Sequence, residues 1–204
     1  MSGSRRALLL DAMGVIYRVG DDVKDILIPF VREKSGDVEG VEAAYLDASL
    51  GRLGPDAFWR SIGLDPSVED GYLERIELSA GLMGFLPRAA AHVGSIACLS
   101  NDIDQWSRKL RRRFALTDAI RTWVISGDVG YRKPSPEIYR IAIGRLGVPA
   151  GDIVFVDDRP HNLQAAQAAG MRTLLFDPGA TAGTDRTVRT FDELLAVLDY
   201  DFRP

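Results

Sequence analysis

The sequence predicts an α/β protein built on a parallel sheet. Five short apolar runs, at residues 7–10, 95–99, 122–125, 153–156 and 173–176, are continuous rather than alternating, as strands covered on both faces are. From the second run onward they are separated by segments of helical period, and βα alternation of this kind gives a parallel sheet. A third observation is that the alternation lapses between about Asp21 and Leu86, which predicts an insertion after the first strand.

Residues 7–10 form the first strand, which runs directly into Asp11, Ala12, Met13, Gly14 and Val15. In the insertion Val23, Ile26, Leu27, Phe30 and Val31 recur at helical spacing and no run reads as a strand. Gly36, Gly51, Gly54, Pro55, Gly63 and Pro66 mark its turns. The expected division is a core of residues 1–20 and 87–204 with a helical subdomain at 21–86. The second strand, in SIACLS, carries Cys98, which reads as a buried strand thiol.

A helix over residues 102–114 follows, with Trp106, Leu110 and Phe114 as its apolar stripe. Five cations lie within the seven residues SRKLRRR of this helix, but they spread around it with little aromatic interleaving, which reads as a solvated face. After the strand at 122–125, Ser135, Pro136 and Glu137 open a helix carrying Ile138, Ile141, Ala142 and Leu146 on one face, and Gly147 ends it. After the strand at 153–156, Pro160 opens a helix through Leu163, Ala166 and Ala169, closed by Gly170. The strand at 173–176 completes the pattern.

The 204 residues are 46% apolar, enough for one good core. A net charge of -4 and a pI near 5.3 disfavour general nucleic-acid binding and leave small molecules as partners. With Cys98 alone, neither an internal disulfide nor a cysteine zinc site is available. Arg5 and Arg6 before residues 7–10 mimic the start of a secretory signal, but Asp11 cuts the apolar run far short of the roughly 7–15 residues needed. No stretch approaches the ~20 apolar residues of a membrane span. A cytoplasmic protein, monomeric or homodimeric and not bound to membrane, is expected.

In an open parallel sheet the residues just past the strand carboxyl ends share one crevice. Asp11, Ser100 with Asn101, Lys133, and Asp157 with Asp158 all occupy such positions. Taken singly, Asp11 also reads as a turn former, Ser100 to Asp102 as a helix N-cap, and Lys133 as a solvated loop charge. Adjacent Asp157 and Asp158 are harder to dismiss, because neighbouring carboxylates repel unless a cation or base lies between them. Together the set can handle phosphate. Carboxylates would hold Mg²⁺, lysine and helix N-termini would neutralise a phosphoryl group, the serine hydroxyl would donate to it, and Asp11 would attack phosphorus.

With these residues, and above all with GYRKPSPEIY and FVDDRPHNLQAAQAAGM, the chain resembles the haloacid dehalogenase superfamily of hydrolases. Within it the two segments are most similar to the branch of the epoxide hydrolase N-terminal phosphatase domain and small bacterial sugar phosphatases. The resemblance implies a Rossmann-like core with residues 21–86 as a helical cap, and a Mg²⁺-dependent phosphatase acting on a small phosphorylated metabolite. It implies that Asp11 is nucleophile and metal ligand and that Met13 offers its backbone carbonyl to the metal. Asp158 is then a direct ligand, with Asp157 in or next to that shell. Ser100 and Asn101 would hold phosphate, Lys133 would bridge phosphate and nucleophile, and Asn162 would sit near the metal.

Met13 departs from the pattern. Phosphatases of this superfamily usually carry an aspartate there as general acid and base, and such catalysis is typically worth ~10²–10⁴-fold. A thioether exchanges no proton. Cleavage of a carbon–halogen or carbon–phosphorus bond, or a catalytically impaired phosphate-ligand binding or regulatory protein, are the alternatives this opens. His161, Asp102 and Asp104 are substitute proton carriers near the expected crevice, and Tyr45, Phe58 and Trp59 are candidates either for a substrate pocket or for core packing.

Overall fold

The strand at the centre of the molecule is the first in the chain. In the computed structural model, which describes residues 6–180 and 186–201, β1 (Ala7–Leu10) lies between two parallel neighbours and its four side chains are fully buried. An unbroken apolar run is what such a strand requires.

The insertion that follows contains a π-helical turn (Val23–Leu27) leading into α1 (Ile28–Glu33), then α2 (Val41–Ala48) and α3 (Pro55–Ser61). A 3₁₀ turn (Pro66–Val68), α4 (Glu69–Leu73) and α5 (Leu82–Ala89) complete it. Strands and helices then alternate: β2 (Ser95–Ser100), α6 (Asp104–Arg113), β3 (Thr122–Ile125), α7 (Ser126–Val129), α8 (Pro136–Leu146), β4 (Ile153–Asp157), α9 (Pro160–Ala168) and β5 (Arg172–Phe176). The two-residue β6 (Thr187–Val188) and α10 (Phe191–Asp201) end the described chain. Arg5, half of the apparent leader, lies outside the described residues.

All six strands are parallel, in the order β3-β2-β1-β4-β5-β6. The chain therefore steps outward from β1 through β2 and β3, then returns to the other side of β1 and steps outward again. That reversal puts a crevice at the carboxyl end of β1, where open sheets of this kind bind ligands. The structure also extends the expected strands by one residue at the functional end, so that Ser100 and Asp157 are the last residues of β2 and β4. Between β1 and β2 the register pairs Leu10 with Cys98.

Alternate residues of the central strands feed two cores. Leu8, Leu10, Ile96, Cys98, Val154 and Val156 face the layer of α5, α6 and α10, while Ala7, Leu9, Ala97, Leu99 and Phe155 face α8 and α9. Ser135 caps α8 with Pro136 in its first turn, and Gly147 ends the helix in the left-handed region at φ +67°, a conformation glycine adopts without steric cost. Helix α6 starts at Asp104, with Ile103 as its cap and no side-chain capping bond, so Ser100 to Asp102 are not a helix cap.

The helices of the insertion rest on α6 through a buried aromatic cluster. Trp106 stacks near Phe58, Trp59 and Tyr72 at ring-centroid separations of 5.3, 5.5 and 4.8 Å. Beneath these rings Glu69 accepts from the indole nitrogens of Trp59 (3.2 Å) and Trp106 (2.7 Å) and pairs with Lys109 at 2.7 Å. Phe58 and Trp59 are thus core residues. Three of the five cations of α6 are engaged by ion pairs or hydrogen bonds within the chain as well: Arg108 with Asp104, Lys109 with Glu69 and Asp70, and Arg113 with the carbonyls of Leu73, Glu74 and Ile76. Among the described residues no helix is long and apolar enough to cross a membrane.

Candidate active site

Asp11 is the first residue past β1, and its backbone N–H still donates to the Val156 carbonyl at 2.8 Å. The ladder bond fixes the start of a tight loop. Gly14 lies at φ +80° and donates to the Val19 carbonyl (2.9 Å), while Met13 bridges to Tyr17. The loop thereby folds back over the strand end and brings Gly20 near Gly14.

Lys133 enters from the segment before α8, and its ammonium is almost entirely removed from solvent. It lies 2.7 Å from Asp11 Oδ1 and 2.7 Å from Asp157 Oδ2, linking the ends of β1 and β4. Its backbone is clamped by Asn101, which accepts from the Lys133 N–H at 2.7 Å and donates to the Lys133 carbonyl at 2.9 Å. Asn162 Nδ2 lies 3.1 Å from each oxygen of Asp157, and the Arg159 backbone N–H donates to Asp157 Oδ1 at 2.8 Å. Asp157 is therefore fully engaged by protein donors.

Asp158 is placed differently. One oxygen from each of Asp11, Asp157 and Asp158 lies within 4.8 Å of the others, yet Asp158 Oδ1 is buried without a hydrogen-bond partner. Two glycines make room for this carboxylate: a Cβ on Gly14 would stand 2.3 Å from Asp158 Oδ2, and one on Gly20 would stand 2.4 Å from it. The glycines accommodate Oδ2, whereas Oδ1 has, among the described residues, only the Arg159 Nε at 4.0 Å, and a buried oxygen that accepts no hydrogen bond costs free energy unless something satisfies it.

Three carboxylates face one lysine, and the ionisation of the group follows from that imbalance. Burial and the Asp157 charge push Asp11 well above the usual carboxylate range, and the same two causes push Asp158 up to about 6. For Asp157 burial acts in the same direction, but the Lys133 ammonium, the Arg159 N–H and Asn162 outweigh it and hold its pKa down. Burial disfavours the charged form of Lys133, yet Asp11 and Asp157 hold its pKa above the ordinary lysine value. A divalent cation would relieve the surplus negative charge, and an all-oxygen donor set suits Mg²⁺.

A cleft of about 360 Å³ opens over Asp11 and Lys133, lined also by Met13, Ser100, Asn101 and Asn162. Seven of the eight site residues expected from sequence thus converge here by contact or by lining, and Asp158 closes the set from beneath. Of the substitute proton carriers, His161 lines the cleft and Asp104 instead pairs with Arg108 at 2.7 Å away from it. Asp102 is buried, with Oδ2 unpartnered.

Sequence reasoning missed several polar residues of the cleft, among them Asp22, Glu42, Arg132 and Arg159. Asp22 is buried and accepts from the Tyr72 hydroxyl at 3.2 Å. Burial and neighbouring Asp21 push its carboxyl up to about 6. Arg132 and Arg159 adjoin Lys133 and Asp158, so adjacency to the two strongest motifs was the available signal. Tyr45 lines the cleft and donates to the Asn101 carbonyl at 3.1 Å, unlike Phe58 and Trp59.

Comparison with known proteins agrees with the fold. A chloroplast flavin mononucleotide hydrolase of Arabidopsis thaliana is 30% identical over 60% of this chain and 48% of its own length. A ribulose-1,5-bisphosphate 5-phosphatase of Halopiger xanaduensis is 28% identical over 64% of the chain and 53% of its own. The matched region spans about half the length of these relatives. A haloacid dehalogenase family enzyme of Bacteroides thetaiotaomicron, solved with magnesium and inorganic phosphate, superposes with a TM-score of 0.72 at 20% identity, covering 86% of this chain and 95% of that one. The haloacid dehalogenase-like hydrolase family matches residues 6–170, which takes in the whole constellation from Asp11 to Asn162, and the chain belongs to that family.

Proposed function

We propose that this hydrolase is a Mg²⁺-dependent phosphatase of a small phosphorylated metabolite, working through a phosphoryl group carried on Asp11. The observation that carries the reading is the buried Asp11–Lys133–Asp157 bridge at 2.7 Å on each side, with the unpaired Asp158 oxygen beside it. Asp11, the Met13 backbone carbonyl and Asp158 would hold the metal. Asp157 adjoins them and, with its oxygens taken by Lys133, Arg159 and Asn162, chiefly positions the lysine. A bound Mg²⁺ would supply charge neutralisation and Lewis-acid chemistry.

The chain's own residues do the rest. Lys133 keeps one Asp11 oxygen fixed and its charge available to the phosphoryl oxygens. Ser100 and Asn101, at the end of β2, bind the phosphate from the other side. Asp11 attacks phosphorus as the ester bond breaks, and water then cleaves the aspartyl-phosphate, which splits one displacement into two. Residues 21–86 act as a cap over a core of 1–20 and 87–204, and the cap residues Asp22, Glu42, Tyr45 and Leu46 contribute the outer wall of the cleft.

Met13 favours one second reading, cleavage of a carbon–halogen or carbon–phosphorus bond, because the usual proton donor is absent. The Asp158 carboxylate argues for metal-assisted phosphate chemistry instead, with Oδ1 accepting no hydrogen bond and Oδ2 accommodated by two glycines. The test is p-nitrophenyl phosphate hydrolysis with and without Mg²⁺, with Asp11→Asn as control. Mg²⁺-dependent release that falls at least a hundredfold in Asp11→Asn is expected, and release independent of Asp11 overturns the reading.

A further inference from the structure

Arg132 stands apart from the other cations of the cleft. Lys133 is neutralised by Asp11 and Asp157, Lys24 lies 3.5 Å from Asp21, and Arg159 lies 3.9 Å from Asp21 and 4.0 Å from Asp158. Among the described residues no carboxylate comes within 4.0 Å of the Arg132 guanidinium. Exposed Glu42 lines the same cleft without reaching it. The acid that feels its charge is Asp102, and burial, reinforced by Asp22, holds that carboxyl well above the ordinary range, so it offers little countercharge.

The side chain is nonetheless held in place. Arg132 Nη1 donates to Ser49 Oγ, and the guanidinium carbon lies 5.7 Å from the centre of the Tyr45 ring. Both supports are buried, Tyr45 on α2 and Ser49 just past its end, and Tyr45 is tied in turn to the Asn101 carbonyl. Asn101 is the residue that clamps the Lys133 backbone. Arg132 thus belongs to the same scaffold as the lysine next to it, with a half-buried fork left over for the cleft. A guanidinium fork matches carboxylate or phosphate oxygens bidentately, which an ammonium cannot do.

We infer that Arg132 is a specificity-determining residue that receives a second anionic group, a carboxylate or a second phosphate, on the substrate whose phosphoryl group lies at Asp11 and Lys133. The inference rests on the phosphatase reading for what is hydrolysed, but the anion site itself is read by binding. Because Arg132 and Lys133 line one cleft of about 360 Å³, the two anionic groups belong to one small molecule.

The test is calorimetric titration, at saturating Mg²⁺, of three phosphonates: ethylphosphonate with a neutral tail, phosphonoacetate with a carboxylate tail and methylenebisphosphonate with a second phosphonate. The wild type should prefer at least one anionic-tail probe over ethylphosphonate. Arg132→Gln, which keeps a donor for Ser49, should cut that preference roughly 10- to 100-fold, the factor expected of one charge-assisted contact. Arg132→Lys should restore only part of it. The probe that loses most tells carboxylate from phosphate. A wild type without binding or without preference, or a preference unchanged in Arg132→Gln, overturns the inference. Turnover lost in Asp11→Asn alongside an unchanged preference would overturn it while sparing the phosphatase reading. A preference lost in Arg132→Gln without any Asp11-dependent turnover would do the reverse.

Discussion

Replacing Lys133 by methionine isolates what the buried ammonium does for the fold. The substitution keeps an unbranched side chain one atom shorter and removes one charge from between Asp11 Oδ1 and Asp157 Oδ2, each 2.7 Å away. At an effective dielectric constant of about 20, each contact is worth ~6 kcal/mol of attraction before desolvation is counted. Burying the ammonium cancels several of those kilocalories, and breaking a buried pair by deleting one partner typically costs ~3–5 kcal/mol. Against a total stability of ~5–15 kcal/mol this is a large share. Urea unfolding at pH 8 in the presence of a chelator should therefore show Lys133→Met less stable by ~3–5 kcal/mol.

The pH dependence gives the argument a second edge. In the wild type Lys133 holds the pKa of Asp157 below its ordinary value, so its contribution is present above ~3.9 and is lost as pH falls. Without the lysine, two buried carboxylates face each other and the folded-state pKa of the pair rises above the unfolded one. The contribution then reverses: it is present at low pH and lost as pH rises through the folded value. Lys133→Met should accordingly recover part of its deficit at pH 5, and a variant unfolded at pH 8 but folded at pH 5 reads the same way. A loss below ~1 kcal/mol at pH 8, or one identical at both pH values, would refute the view that Lys133 is the required countercharge.

Two other perturbations probe the surroundings. Asp22, buried and raised to about 6, lowers stability as pH rises from ~4 to ~6, since the folded state binds its proton more tightly. Asp22→Asn should therefore stabilise the protein by ~2–3 kcal/mol at pH 8 and hardly at all at pH 4, and equal effects at both would exclude a buried ionising carboxylate. Gly20→Ala puts a Cβ 2.4 Å from Asp158 Oδ2, so it should raise the Mg²⁺ concentration for half-maximal activity by roughly tenfold or more while the circular dichroism spectrum stays unchanged; an unaltered Mg²⁺ requirement would remove Asp158 from the metal site.

How much of this was legible in the chain depends on whether a residue's environment is local. The five long strands were readable because full burial on both faces leaves an uninterrupted apolar run, and β1 is the clearest case. Helices α8 and α9 were readable because Pro136, Gly147, Pro160 and Gly170 punctuate them chemically. β6 was not, since Thr187–Val188 is too short to show any period. The same holds within the site. Asp11, Ser100, Lys133 and Asp157 stand at strand ends or helix starts, which sequence can locate. Asp22 and Arg132 acquire their surroundings from Tyr72, Ser49 and Tyr45, residues distant in the chain. Asp104 shows the opposite error, a carboxylate near the site in sequence that its helix turns toward Arg108.

Met13 becomes intelligible once the fold of its loop is considered. Its side chain is 7% exposed and packs with the apolar core while bordering the cleft. The loop does not depend on that side chain, because the Gly14–Val19 bond and the bridge to Tyr17 are made by the backbone. A carboxylate there would join Asp11, Asp157 and Asp158 near a single lysine and add to the negative charge that, together with burial as the larger cause, raises two of their pKa values. The thioether avoids that repulsion at the expense of a proton donor. In the proposed phosphatase, attack by Asp11 on phosphorus would still proceed where the departing oxygen is weakly basic, since such a group leaves without being protonated. On that proposal, loss of the acid narrows the range of esters the site would open and leaves its nucleophile intact.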